Sequence, residues 1–148
     1  IIKTRGGDID KFIGDAIMAL FEDSPHFDEP HPLRCVRAAW EMQRALDVFN
    51  ASIGRDPPLQ IRIGVNTGPA VRGDIGSRYV RRDYTAIGDT VNRAQRYEAN
   101  APRGGVLISA ETYARVKGSV TCDTVTGLKL KGIDTPITAY VVTAIVGG

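Results

Sequence analysis

Apolar positions along the chain follow two rhythms. Residues 9–13 and 16–21 form two short apolar runs, separated only by Gly14-Asp15 and preceded by the turn pair Gly6-Gly7. Turn residues between two such runs predict a β-hairpin with Gly-Asp at its tip. Three prolines and several acids over 23–32 predict a loop. From 33 to 49 the period lengthens: Cys35, Ala39, Met42, Leu46 and Phe49 recur at alternating spacings of four and three, which is one face of a helix. Arg55-Asp56-Pro57-Pro58 ends it. Leu59, Ile61, Ile63 and Val65 then alternate with Gln60, Arg62 and Gly64 as a half-buried strand does. Asn66-Thr67-Gly68-Pro69 is a turn, and strands over 70–75 and 84–87 lead into a helix that begins at Asp89 or Thr90. A short strand over 105–108 is followed by Ser109-Ala110-Glu111-Thr112, which has the chemistry to cap a helix running through Val116. Residues 120–125, 128–130 and 137–142 read as further strand. Helices and strands are interleaved with hairpins among them, so the class is α+β or mixed α/β, with helices over one sheet.

Composition narrows the class further. A chain of 148 residues fits one domain over 1–148, burying roughly 68–70% of its unfolded surface. Apolar residues at 43% and charged residues at 24% are ordinary for a globular protein. A net charge of +2 with a pI near 8.7 is too mild to indicate a nucleic-acid partner. The densest basic group, Arg78, Arg81 and Arg82 around Tyr79, has Asp74 and Asp83 on either side and reads as a solvated loop or as an anion or partner contact. Cys35 and Cys122 lack metal-ligand spacing, and His26 and His31 stand in a proline-rich loop, so zinc is not indicated. Cys35 lies on the apolar stripe and reads as a small buried hydrophobe. No apolar run approaches the roughly 20 residues of a membrane span, so this domain is expected in water, without membrane contact. Its abrupt start at Ile1-Ile2-Lys3 suggests a piece of a longer chain.

Five residues could carry chemistry. Asp15, at the tip of a rigid hairpin, either presents a carboxylate to a divalent metal or is merely good turn chemistry. Lys11 lies four residues earlier, and an even spacing on a strand puts two side chains on one face. Asn92 and Arg96 are one helical turn apart, so an amide and a guanidinium share a face. They can bond phosphoryl oxygens as charge grows there, or they are a solvated helix face. Lys131-Gly132 could add a cation to the same cleft. There is no Walker loop, zinc cluster or nucleophile with an adjacent base.

These elements fall in a recognisable order. Lys11-Phe12-Ile13-Gly14-Asp15-Ala16-Ile17-Met18-Ala19, Ile61-Arg62-Ile63-Gly64-Val65-Asn66-Thr67-Gly68, Gly73-Asp74-Ile75-Gly76-Ser77 and Arg82-Asp83-Tyr84-Thr85-Ala86-Ile87-Gly88-Asp89-Thr90-Val91-Asn92 resemble the class III adenylyl and guanylyl cyclase catalytic domain of bacterial adenylate cyclases. The likeness runs from about Gly6 to Val142 and includes Leu130-Lys131-Gly132. It implies a ferredoxin-like, largely antiparallel mixed sheet covered by helices. It also implies conversion of ATP to 3′,5′-cyclic AMP and pyrophosphate for signal transduction, by in-line attack of the ribose 3′-hydroxyl on the α-phosphate with two divalent cations, Mg²⁺ or Mn²⁺.

The family's roles carry over by similarity. Asp15 matches one of two metal-binding aspartates, and Lys11 matches the lysine that contacts the adenine base. Thr85 matches a purine-reading position. Guanylyl cyclases tend to place Glu and Cys at the Lys11 and Thr85 positions, so this pair points to ATP. Asn92 and Arg96 match the pair that positions ribose and stabilises the transition state, and Lys131 matches a triphosphate-contacting lysine. Family sites form between two domains, so a chain with both halves suits a homodimer. A cytoplasmic location, or the cytoplasmic face of a membrane-anchored parent, and an upstream regulatory domain are expected with it.

The family's other metal aspartate precedes the Gly-Gly hairpin, where this sequence has nothing to match it, so an N-terminal truncation of the domain is expected. Arg93 and Gln95 stand where smaller residues are common, which questions how the helix packs. A guanylate cyclase, or a silent cyclase-homology module used for dimerisation or regulation, is the alternative. Gly6-Gly7-Asp8-Ile9-Asp10 also faintly resembles a diguanylate cyclase signature, without its Glu and Phe.

Overall fold

The computed structural model describes residues 1–75 and 83–146, the stretches 71–75 and 83–87 as backbone alone. The hairpin forms as its sequence predicts: β1 (Gly7–Ile13) and β2 (Ala16–Phe21) pair antiparallel around Gly14-Asp15. Ile13 faces Ala16, Phe12 faces Ile17 and Lys11 faces Met18, after which the register slips between Ile9 and Lys11. That bulge places Asp10 out of step with the alternation.

Helix α1 (His31–Ile53) starts earlier and ends later than its apolar stripe. Pro32 lies in the first turn, where no backbone N–H is needed. At the far end the helix continues past Phe49 until Gly54, whose N–H bonds Asn50 O. The buried face is Pro32, Val36, Ala39 and Gln43. Cys35, Met42 and Leu46 are only half-buried, and Phe49 is 48% exposed. The core therefore grips the first half of the helix, and the second half projects beyond it.

Strand β3 (Ile63–Val65) is shorter than the alternation from Leu59 suggests. Side chains of α1 take the backbone that a ladder would have used. Asn50 Nδ2 donates to Leu59 O at 2.9 Å, Leu59 N donates to Asn50 Oδ1 at 3.0 Å, and Gln43 Nε2 donates to Ile61 O at 3.1 Å. β4 (Val71–Ile75) and β5 (Asp83–Ile87) form an antiparallel ribbon that leads into α2 (Asp89–Asn100). β6 (Val106–Ser109) runs straight into α3 (Ala110–Val116), with Ser109 Oγ accepting from Thr112 N at 3.2 Å as the N-cap. β7 (Val120–Leu128) and β8 (Ile137–Ile145) complete the set. Leu128 is the end of β7, and Leu130 is a buried residue of the following turn, so 128–130 is not a separate strand.

The described strands make a four-stranded sheet of order β3-β6-β8-β7, parallel only at β3-β6, and two separate two-stranded ribbons. One face of the large sheet meets α1: Val36 and Ala39 pack with Val65, Val106, Ile108 and Val142. A second cluster, Tyr97, Ala101, Leu107, Leu130 and Ala139, seats α2. α2 lies directly on the backbone of β3, because a Cβ on Gly64 would stand 2.1 Å from Glu98 N. Gly64→Ala is accordingly expected to destabilise the protein by about 3 kcal/mol, since overpacking against backbone has no side chain to move aside. Urea unfolding with an unchanged midpoint would contradict this. No helix among the described residues is long and apolar enough to cross a membrane.

Candidate active site

The candidate residues fall into two groups. On the hairpin, Asp15 stands exposed in the turn. It lies beyond the last paired residue of β1, so strand alternation, which would set it on Lys11's face, stops at Ile13 and the turn decides its direction. Lys11 is half-buried, with Nζ 3.8 Å from Asp10 Oδ2, and the Asp10 side chain is 1% exposed. Asp10 had no visible role in the sequence, because its burial follows from a bulge that counting by twos does not reveal.

On α2, Asn92 is exposed and Arg96 is half-buried one turn later. Arg96 Nε donates to Lys131 O at 3.2 Å. That bond joins residues far apart in sequence and sets the backbone of Lys131, an exposed residue, against the Arg96 guanidinium. Thr85 lies in β5, its backbone opposite Gly73, while its side chain lies outside the described residues, as do Arg78, Tyr79, Arg81 and Arg82. Among the described residues no hydrogen bond or ion pair links Lys11 or Asp15 to Asn92, Arg96 or Lys131.

The start of α2 is braced from below. Asn66 Nδ2 donates to Thr90 O at 3.0 Å, and Thr90 Oγ1 donates to Pro69 O at 2.5 Å. Thr67 Oγ1 and Thr112 Oγ1, 2.7 Å apart, tie the same loop to the buried cap of α3. The Asn66-Thr67-Gly68 turn thus supports the helix, which turn chemistry alone does not reveal. Arg93 pairs with Asp89 at 2.9 Å along the helix surface, and Gln95 is exposed. Their bulk stays out of the Tyr97 and Ala101 contacts that hold α2.

Asp15 has the right donor chemistry for a hard divalent cation, which accepts one or two carboxylates with water and phosphate completing the shell. Among the described residues no group of three His, Cys, Asp or Glu side chains comes together to hold a metal. A cleft of about 310 Å³ lies between β2 and the loop after β3, lined by Leu20, Phe21, Cys35, Val65, Thr67 and Val91 among others. None of the candidate residues whose side chains are described lines it, so volume and chemistry point to different places. The charged residues carry more weight, because the cleft's Asn66 and Thr67 are already bonded within the protein.

Neither cysteine suits nucleophilic chemistry. Burial pushes the Cys35 thiol up to about 12, against the lowering effect of Arg34, and burial with the neighbouring Asp123 charge pushes Cys122 up to about 11. At pH 8 the thiolate fractions are then roughly 10⁻⁴ and 10⁻³. Iodoacetamide is expected to leave the folded protein unlabelled by mass spectrometry and to add two groups after unfolding. Rapid native labelling of Cys35 would contradict a raised Cys35 thiol.

The sequence profile of the "Adenylate and Guanylate cyclase catalytic domain" matches residues 4–144. Adenylate cyclase 1 of Rhizobium meliloti (strain 1021) is 33% identical over 150 residues, covering 99% of this chain and 22% of that protein. Among solved structures, the adenylyl cyclase CyaB from P. aeruginosa is 34% identical with a TM-score of 0.86, covering 96% of this chain and 74% of the other. The guanylate cyclase domain of RhGC from Catenaria anguillulae, solved in complex with GTP, is 30% identical with a TM-score of 0.83, covering 97% and 75%. The chain thus spans less than a quarter of the length of the curated relative and about three quarters of the solved domains.

Proposed function

This chain belongs to the adenylate and guanylate cyclase catalytic domain family, and we propose that within it residues 1–148 are part of one adenylate cyclase domain whose sites form between two copies. In the proposed reaction the ribose 3′-oxygen bonds the α-phosphorus, the bond from that phosphorus to the bridging oxygen breaks, and pyrophosphate leaves with the electron pair. The 3′-hydroxyl proton passes to solvent or phosphate.

The observation that carries the reading is the Arg96–Lys131 contact. It uses the inner nitrogen of Arg96, and among the described residues the outer nitrogens bond nothing. They are assigned to phosphoryl oxygens in the forked geometry that guanidinium favours. Asn92, one turn away, offers an amide to the ribose. Negative charge moves from phosphate toward pyrophosphate as the reaction proceeds, and fixed cations beside that path stabilise it. Lys11 and Thr85 are assigned to the base edge, where a hydrogen-bonded purine is favoured over one that leaves those groups unpaired.

Asp15 is assigned to hold a divalent cation, which when bound supplies charge neutralisation on the phosphates and acidifies the hydroxyl. Among the described residues no hydrogen bond or ion pair joins the hairpin residues to the α2 residues, and two copies related by a twofold axis would complete two equivalent sites. The test is direct: the native full-length protein given ATP and Mn²⁺ or Mg²⁺ should release cyclic AMP. Cyclic GMP from GTP as the preferred product would overturn the purine assignment, and no product with either nucleotide would leave a silent homology module.

A further inference from the structure

Arg34 is the largest fully buried side chain among the described residues, at 2% exposure. Its bonds all go to backbone carbonyls. Nε donates to Glu29 O at 3.0 Å, Nη1 donates to Arg5 O at 3.0 Å and Gly6 O at 3.4 Å, and Nη2 donates to Glu22 O. The Phe27 ring lies 4.8 Å from Cζ. A buried cation is costly, and an apolar residue of similar volume often serves stability as well or better. What the guanidinium offers instead is a planar fork with fixed bond directions.

Those directions join three segments. Gly6 immediately precedes β1, Glu22 immediately follows β2, and Glu29 leads into α1. The surroundings are shaped to the fork: a Cβ on Gly6, at φ 83°, would stand 2.6 Å from Arg34 Nη1 and 2.5 Å from a Phe27 ring carbon. Two outer ion pairs, Arg5–Glu41 at 2.8 Å and Arg37–Glu29 at 2.9 Å, tie the same segments to α1. The Arg5–Glu41 pair is solvent-accessible and contributes little by itself, whereas Arg37, 13% exposed, is the more buried of the two arginines.

We propose that Arg34 is a positioning residue, a latch that closes the root of the β1–β2 hairpin and thereby sets where Lys11 and Asp15 stand. The assignment rests on the reading of those two residues as site residues. Among the described residues β1 and β2 pair in a sheet only with each other, while β2 also packs against α1 and β1 approaches β5, so the hairpin is held at its root and along these neighbours, and the root helps set its direction. A seven-residue strand reaches about 20 Å, and a tilt of about 10° at its root moves the tip by about 3.5 Å. A displacement of about 1 Å at reacting groups already costs on the order of 10²-fold in rate.

The test uses Arg34→Lys in the full-length protein, which keeps the charge and loses the fork. A merely structural role would shrink the folded fraction and lower the apparent kcat while leaving KM alone. The latch predicts that KM for nucleotide and the Mn²⁺ concentration for half-maximal rate each rise about tenfold or more. Independently, spin labels at Ile17→Cys and Val48→Cys, both exposed positions, should give a narrow distance distribution that Arg34→Lys broadens. Unchanged KM, metal requirement and distance distribution in folded Arg34→Lys would overturn the proposal. Should that variant not fold, Phe27→Leu, which removes only the ring, decides by the same readouts with a smaller shift. If the unmodified protein makes no cyclic nucleotide, the function reading fails, and the distance distribution still decides the latch.

Discussion

Asp15→Asn in the full-length protein is expected to lower kcat/KM for nucleotide about 10³-fold, or about 4 kcal/mol of transition-state stabilisation. The amide keeps the side chain's shape and removes its charge. Asp15 is exposed in a two-residue turn and takes part in no ion pair among the described residues, so the melting temperature should stay within a degree or two. Stability and activity therefore separate cleanly at this position. Initial rates across a Mg²⁺ and Mn²⁺ titration provide the measurement, and a chelator should abolish the unmodified protein's activity in parallel. Rates within about threefold of the unmodified protein at saturating metal would reduce Asp15 to turn chemistry.

Arg96→Ala should lower kcat about 10²- to 10³-fold, the range seen when one preorganised charge-stabilising donor is removed. KM should change little, because the interaction strengthens as charge develops. Arg96→Lys should recover only part of the loss: it restores a cation but not the Nε bond to Lys131 O that fixes its direction. A rise in KM with kcat preserved would mean that Arg96 contributes uniform binding, and the transition-state role would be wrong.

Much of the fold was readable because local chemistry and tertiary context agree. Gly14-Asp15 turns where two apolar runs meet, and Ser109 caps where its hydroxyl spacing says it should. The strand from Leu59 was misjudged because Asn50 and Gln43, on a helix, supply the partners that alternation assigns to a ladder. The apolar stripe of α1 was read nearly one residue out of phase, since Gln43 is buried for its amide and Arg34 for its fork. Hydrophobic periodicity has no means of placing a polar side chain in a core.

The site was legible unevenly. Asn92 and Arg96 share a helix, so spacing alone relates them. Lys131 joins them only through a contact across 35 positions, which family likeness suggests and spacing does not. Lys11's neighbour Asp10 was hidden by the bulge, an extra residue in one strand that shifts the phase of everything before it.

Ser109 holds a further consequence. Its backbone is the last residue of β6, opposite Ala139, while its side chain caps the next residue's helix, so no linker separates the two elements. A helix of seven residues is too short to persist alone. α3 should therefore open only when β6, an interior strand of the sheet, opens, and amide hydrogens of Val116 and Ile108 should exchange with the same free energy and the same denaturant dependence, as one cooperative unit.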